Sequence, residues 1–295
     1  PTQKEIGKMN EPRTLTPDQF EGMSIFRPPL CHELCGREFL LVMDDGYDRK
    51  LIFTDRQTLR FSRLEEAPKA YAYDCLKAEK TTYLVNFEVP GVFPRKGITL
   101  ILDLESSLVT MAVAHLGQDP KFPRMPALDF IFGAIQRPDG TCPAIRHGHT
   151  PELVGRAVTW NYGTFDVVHV YSSERYYRVA FTPERLRRMA ERMKAEGREH
   201  PAPGSAQRGV YEDHAAYIKV KDGVYIVSLL ETLLCRSRGH GNSLLFLMNL
   251  NDMHDVGRSF GTNDAGEDEN YVFGAFGADF DASETLARKS TFHIR

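Results

Sequence analysis

The pentapeptide Glu33-Leu34-Cys35-Gly36-Arg37 returns as Glu152-Leu153-Val154-Gly155-Arg156, and each copy opens a run of strand-forming residues. Further blocks follow in the same order. Thr58 to Ser62 (TLRFS) lines up with Tyr176 to Phe181 (YYRVAF), which sets Arg60 opposite Arg178. Thr81 to Glu88 (TTYLVNFE) matches Gly223 to Glu231 (GVYIVSLLE), and Gly97 to Gly117 matches Asn242 to Gly261. Matched blocks in conserved order mark an internal duplication, so whatever unit one half forms, the other must form too. The length of 295 residues agrees, because one compact core serves about 100–200 residues. Turn residues cluster and the apolar pattern lapses from Pro138 to Thr150, which predicts domains 1–148 and 149–295.

Within each half, apolar residues alternate or form short runs of β-formers between turn signals such as Asp44-Asp45-Gly46, Lys221-Asp222-Gly223 and Gly239-His240-Gly241. Strands about 8–12 residues apart with short turns predict an all-β chain of two tandem lipocalin/calycin-like antiparallel β-barrels. A two-layer sandwich fits the same spacing. The clearest helical pattern lies in the second half: Thr182 can cap it, Pro183 takes the first position, and Leu186, Met189, Ala190 and Met193 share a face before Gly197. With the loop from Glu199 to Gly209 it reads as a helical insert, either a lid over the barrel mouth or a plug in its end.

Hydrophobic residues make up 42% and charged residues 26% of the chain, with a net charge of −3, so nothing favours nucleic acid or an anionic membrane as partner. The polar N-terminal stretch and the lack of a run of roughly 18 apolar residues predict a cytoplasmic protein. Cys31, Cys35, Cys75, Cys142 and Cys235 are odd in number, which argues against a disulfide framework. Cys31, His32 and Cys35 lack a second ligand cluster, and His147 and His149 lack a carboxylate neighbour, so no metal is expected. No glycine-rich loop sits on a strand-to-helix turn, and no cofactor is expected.

Strand alternation puts Tyr225, Val227, Leu229 and Glu231 on one face. Partial burial of the Glu231 carboxyl favours its neutral form and lifts its pKa toward the range of a general acid. Arg178 shares a face with Tyr176 and Ala180, and a buried guanidinium needs a partner, so pairing with Glu231 or an anionic ligand is expected. Val158, Trp160 and Tyr162 alternate on the opening strand and offer a stacking surface and a phenol donor. His254 follows the run LLFLMNL, near the barrel mouth. An ordinary core with one structural ion pair fits the same spacing. In the first half the opening strand, Phe39 to Met43, is apolar, and Glu88 falls one residue out of register, so that half reads as a degenerate copy.

From Glu152 to Gly261, outside the insert, the blocks ELVGRAVTWNYG, YYRVAF, GVYIVSLLE and LMNLNDMHDVG resemble the phenolic acid decarboxylases. In that family one lipocalin-like barrel removes carbon dioxide from hydroxycinnamic acids without a cofactor. The resemblance implies that Trp160 and Tyr162 stand at the family's two tyrosine positions, Arg178 at its arginine and Glu231 at its glutamate; one tyrosine is thus replaced by tryptophan. The tandem chain as a whole resembles the MoaF family, named among molybdenum cofactor biosynthesis proteins. These resemblances imply a cofactor-independent lyase acting on a small aromatic or phenolic acid. Its catalytic residues would be Glu231, Arg178 and Tyr162, and its substrate-binding residues Trp160, Tyr176, Tyr225 and His254. The alternative is a non-catalytic calycin-type barrel for a small aromatic ligand. The partners expected are that ligand and at most a second copy of the chain in a homodimer.

Overall fold

The computed structural model describes residue 23, residues 25–163, 165–180, 211–263 and 266–281, and the single positions 187, 191, 194 and 195. Apart from those single positions, the helical insert expected from Thr182 to Gly197 and its following loop lie outside the described residues.

The first half is a meander of β1 (Glu38–Met43), β2 (Arg49–Phe53), β3 (Thr58–Arg63), β4 (Lys69–Glu79), β5 (Thr82–Val89), β6 (Arg95–Asp103), β7 (Leu108–Leu116) and β8 (Pro126–Ile135). It closes into a barrel when β1 pairs with β8. A two-residue strand, β9 (Gly148–His149), precedes the second meander: β10 (Ala157–Asn161), β11 (Asp166–Val170), β12 (Tyr176–Ala180), β13 (Tyr211–Lys221), β14 (Val224–Leu230), β15 (Asn242–Asn249), β16 (His254–Thr262) and β17 (Asp268–Asp279). This second barrel closes through β10 with β17 and β12 with β13, while β9 pairs with β13 near His149. A short helix, α1 (Thr232–Arg238), joins β14 to β15. Among the described residues no helix is long and apolar enough to cross a membrane.

Alternation decides what fills each barrel. In β1, Phe39, Leu41 and Met43 turn inward and meet Leu51, Phe53 and Phe87 in a core that also holds Tyr73, Cys75 and Tyr83. In the second barrel Trp160, Tyr177, Val227, Phe246 and Phe273 do the same. The outward faces of the middle strands are not wet. Leu76, Leu84 and Ile101 of the first barrel pack on Ile218, Ile226, Leu245 and Leu247 of the second in a third core between the barrels. Strands buried on both faces lose their polar alternation, which is why β5, β6, β14 and β15 read as near-continuous apolar runs. Polar groups in this interface are placed one by one. Arg258 is fully buried, its Nε donating to Thr99 Oγ1 at 2.9 Å and its Nη1 to the Ser243 carbonyl at 2.8 Å. Lys221 Nζ lies 2.9–3.0 Å from carboxylates of Glu79, Asp103 and Glu105.

The repeated pentapeptide is a corner that seals one end of each barrel. Gly36 and Gly155 sit at φ 78° and 86°, a left-handed conformation that glycine adopts without steric cost, and their N–H groups donate to the carbonyls of Phe53 and Tyr171, both at 2.8 Å. Leu34 and Leu153 plug the barrel ends. Glu33 accepts from the Tyr83 hydroxyl at 2.8 Å and from Lys77 Nζ at 2.6 Å; Glu152 accepts from Tyr225 at 2.7 Å and from Lys219 at 2.9 Å. A bulge follows each lysine on its strand.

Candidate functional site

The interior of the second barrel is aromatic but not apolar. Trp160, Tyr162, Tyr171, Tyr177, Tyr217 and Phe273 are almost completely buried. Tyr162 stacks obliquely on Phe165 at 5.0 Å and meets Phe273 edge-on at 5.8 Å. Deeper in, Trp160 Nε1 donates to the Tyr171 hydroxyl at 3.4 Å, which in turn donates to Met248 Sδ at 3.4 Å. Among these rings stand the carboxyl groups of Glu231, Asp213 and Asp255.

Glu231 ends the inward series Tyr225, Val227, Leu229 just where β14 gives way to α1. Its backbone, at φ −84° and ψ 58°, leaves the strand conformation, and its carbonyl accepts the Cys235 N–H at 3.0 Å, which starts the helix. The carboxyl is largely buried and accepts the Asn242 N–H at 2.9 Å. Burial brings its pKa up to about 7 against that bond, and the neighbouring carboxylates of Asp213 and Glu269 push the same way. The helix is capped from elsewhere. Asp213, opposite Tyr177 on β13, accepts the Leu233 N–H at 2.8 Å and the Thr232 hydroxyl at 2.5 Å. Burial nonetheless raises its pKa. Asp255 lies inside the barrel opposite Met248 and Ala275. Neither of its oxygens has a side-chain partner among the described residues, and burial lifts its pKa well above the usual carboxylate range against the backbone N–H of Ala275.

Asp213 and Asp255 were not singled out from the sequence, although the signal was there. Asp213 alternates with Ala215 and Tyr217, and Asp255 with Gly257 and Ser259, the same period of two that picks out Glu231. A polar residue inside such a series is a candidate whichever type it is.

The expected pairing of Arg178 with Glu231 does not form. On β12, Tyr177 and Val179 point inward and Arg178 outward, where Arg178 Nε donates to Glu212 Oε2 at 2.7 Å. The cause is register: β12 pairs Arg178 directly with Glu212 of β13, and cross-strand neighbours share a face. Arg60, its counterpart in the first barrel, also points outward and is exposed. Tyr176 lies on the same outer face as Arg178, its ring 5.1 Å from that of His214. The Tyr225 ring is inside, but its hydroxyl belongs to the Glu152 corner. His254 faces out at the start of β16, with its ring 5.0 Å from that of Phe276. The interior therefore brings together Trp160, Tyr162, Tyr225 and Glu231 and leaves Arg178, Tyr176 and His254 outside. A separate pocket of about 290 Å³ opens in the wall between the start of β12 and β9, lined by Glu174, Arg175, His149 and Tyr217 among others. No group of His, Cys, Asp or Glu side chains placed to hold a metal occurs among the described residues.

Residues 18–118 match the family model of the MoaF N-terminal domain. No curated protein sequence matches the chain. The MoaF match runs through the pentapeptide corner and ends just after β7, so it falls on the first barrel. The second barrel, with its buried carboxyls, lies beyond the matched MoaF residues, and neither comparison shows the resemblance to phenolic acid decarboxylases.

Proposed function

We propose that the second barrel binds a small aromatic compound, with Glu231 sharing or exchanging a proton with it at the barrel rim. The observation that carries this reading is a carboxyl at the end of an aromatic interior, poised near a pKa of about 7. At neutral pH such a group is divided between acid and carboxylate and can both give and take a proton. Trp160, Tyr162 and Tyr171 supply ring faces for stacking and polar tips for orientation.

The catalytic form of this reading is a cofactor-independent lyase. Glu231 would deliver a proton to the carbon next to the carboxylate of a para-hydroxylated cinnamic acid, and the quinone-methide so formed would lose carbon dioxide. Binding without turnover is favoured by Arg178, whose guanidinium is tied to Glu212 on the outer face and so does not serve as an anchor inside.

A panel of hydroxycinnamic acids, hydroxybenzoic acids and neutral phenols separates these forms when thermal shift and carbon dioxide release are measured together. Ligands of the barrel raise the melting temperature by mass action. If turnover occurs, Glu231→Gln should lower it by roughly 10²–10⁴-fold while binding persists, because the amide keeps the shape but cannot transfer the proton. A fully active Glu231→Gln variant removes Glu231 from the chemistry, and a protein that neither binds nor converts any member of the panel overturns the reading.

A further inference from the structure

The corner of the first barrel holds a feature that its duplicate lacks. Cys31 lies just ahead of the pentapeptide, and its backbone N–H donates to the Cys75 carbonyl of β4 at 2.8 Å. The second barrel repeats this bond, from the Thr150 N–H to the Tyr217 carbonyl at 3.0 Å. The backbone arrangement therefore belongs to the fold, which accepts threonine and tyrosine at these places, while the two thiols are particular to the first half. Two Cα atoms linked through one such bond lie within roughly the 4.4–6.8 Å that a disulfide spans. Cys31 is half-buried and reachable, whereas Cys75 is buried in the barrel core.

The two sulfurs also differ chemically. The neighbouring Cys75 thiol, the Glu33 backbone N–H and the Lys77 ammonium hold the Cys31 thiol down to about 6 against burial and the Glu33 charge. The neighbouring Cys31 sulfur, together with burial, pushes the Cys75 thiol up. A reachable sulfur with thiolate character beside a buried thiol is the pattern of an attacking and a resolving cysteine.

We propose that Cys31 and Cys75 form a reversible thiol–disulfide site that reacts with peroxides. The Cys31 thiolate attacks one oxygen of the peroxide, the O–O bond breaks, and the leaving oxygen departs with a proton as water or alcohol, leaving a sulfenic acid. The Cys75 sulfur then attacks that sulfur, the S–O bond breaks, an S–S bond forms, and the Cys75 proton leaves with the hydroxyl as water. A dithiol reverses the step. The disulfide would fasten the segment that crosses the molecule just before the corner, where Ile25 packs on Gly163, Phe26 on Phe276, and Leu30 enters the core between the barrels.

The test treats the intact chain with one equivalent of hydrogen peroxide and maps its peptides without reduction. The expected product joins the Cys31 and Cys75 peptides, is cleaved by dithiothreitol, persists in Cys35→Ser and disappears in Cys31→Ser. Iodoacetamide alkylation of Cys31 should reach half its limiting rate near pH 6. A link between Cys31 and Cys35, or Cys31 oxidised to sulfinic acid beside an intact Cys75, overturns the proposal, as does a Cys31 that peroxide leaves unchanged. Because the mapping is done on wild-type protein, it stands even if a Cys75 variant fails to fold.

Discussion

At Glu231 the same burial that suits a proton-transfer group makes stability depend on pH. Its pKa of about 7 in the folded chain compares with an ordinary 4.5, so between these values the folded protein holds a proton that the unfolded chain has released. Stability from this group is therefore fully present below about 4.5 and declines as pH rises through about 7, by at most about 3 kcal/mol. Asp213 and Asp255, also raised by burial, act with the same sign. Glu231→Gln, which keeps an acceptor for the Asn242 N–H but cannot ionise, should flatten that decline. Urea unfolding at intervals across this range tests it: parallel curves for wild type and variant would show that Glu231 is not held protonated by the fold.

The unit that the duplication preserves most faithfully is the corner, not the interior. Glu33 with Lys77 and Tyr83, and Glu152 with Lys219 and Tyr225, make the same three-part contact at the same end of each barrel. Tyr225, expected from alternation to touch substrate, spends its hydroxyl on this contact instead. Tyr83→Phe and Tyr225→Phe should therefore behave alike, each losing roughly 1 kcal/mol of stability for a hydrogen bond at a partly exposed carboxylate. Tyr225→Phe should also leave the affinity for aromatic ligands unchanged. Chemical denaturation and ligand titration of the two variants check both halves of the statement, and a selective loss of binding in Tyr225→Phe would return that hydroxyl to the site.

Over the whole molecule, the core shared between barrels joins two units that could each have kept a polar outside. Leu247 is fully buried there, in the same cluster as Leu76 and Ile101. Leu247→Asp places an unpaired carboxylate among these side chains and should cost several kcal/mol. Wild-type protein is expected to melt in one calorimetric transition, and the variant in two, as the barrels part. Two well-separated transitions in the wild type would mean that the interface does not couple them.

The residues by themselves determined the duplication, the all-β character of both halves, and the shared faces of Phe39, Leu41 and Met43 and of Tyr225, Val227, Leu229 and Glu231, because repeats and a period of two are local properties of a chain. They did not determine which partner Arg178 takes. That depends on the register of β12 against β13, strands separated by residues 181–210, and no local pattern fixes a register across such a connection. The near-continuous apolar runs of β14 and β15 signal burial on both faces but not by what, since the partner that dries the outer face belongs to the other half of the chain. Period two says which side chains travel together; only the packed tertiary structure decides which of the two faces is the inside, and hence that Asp213 and Asp255 join Glu231 within the barrel while Arg178 stays out.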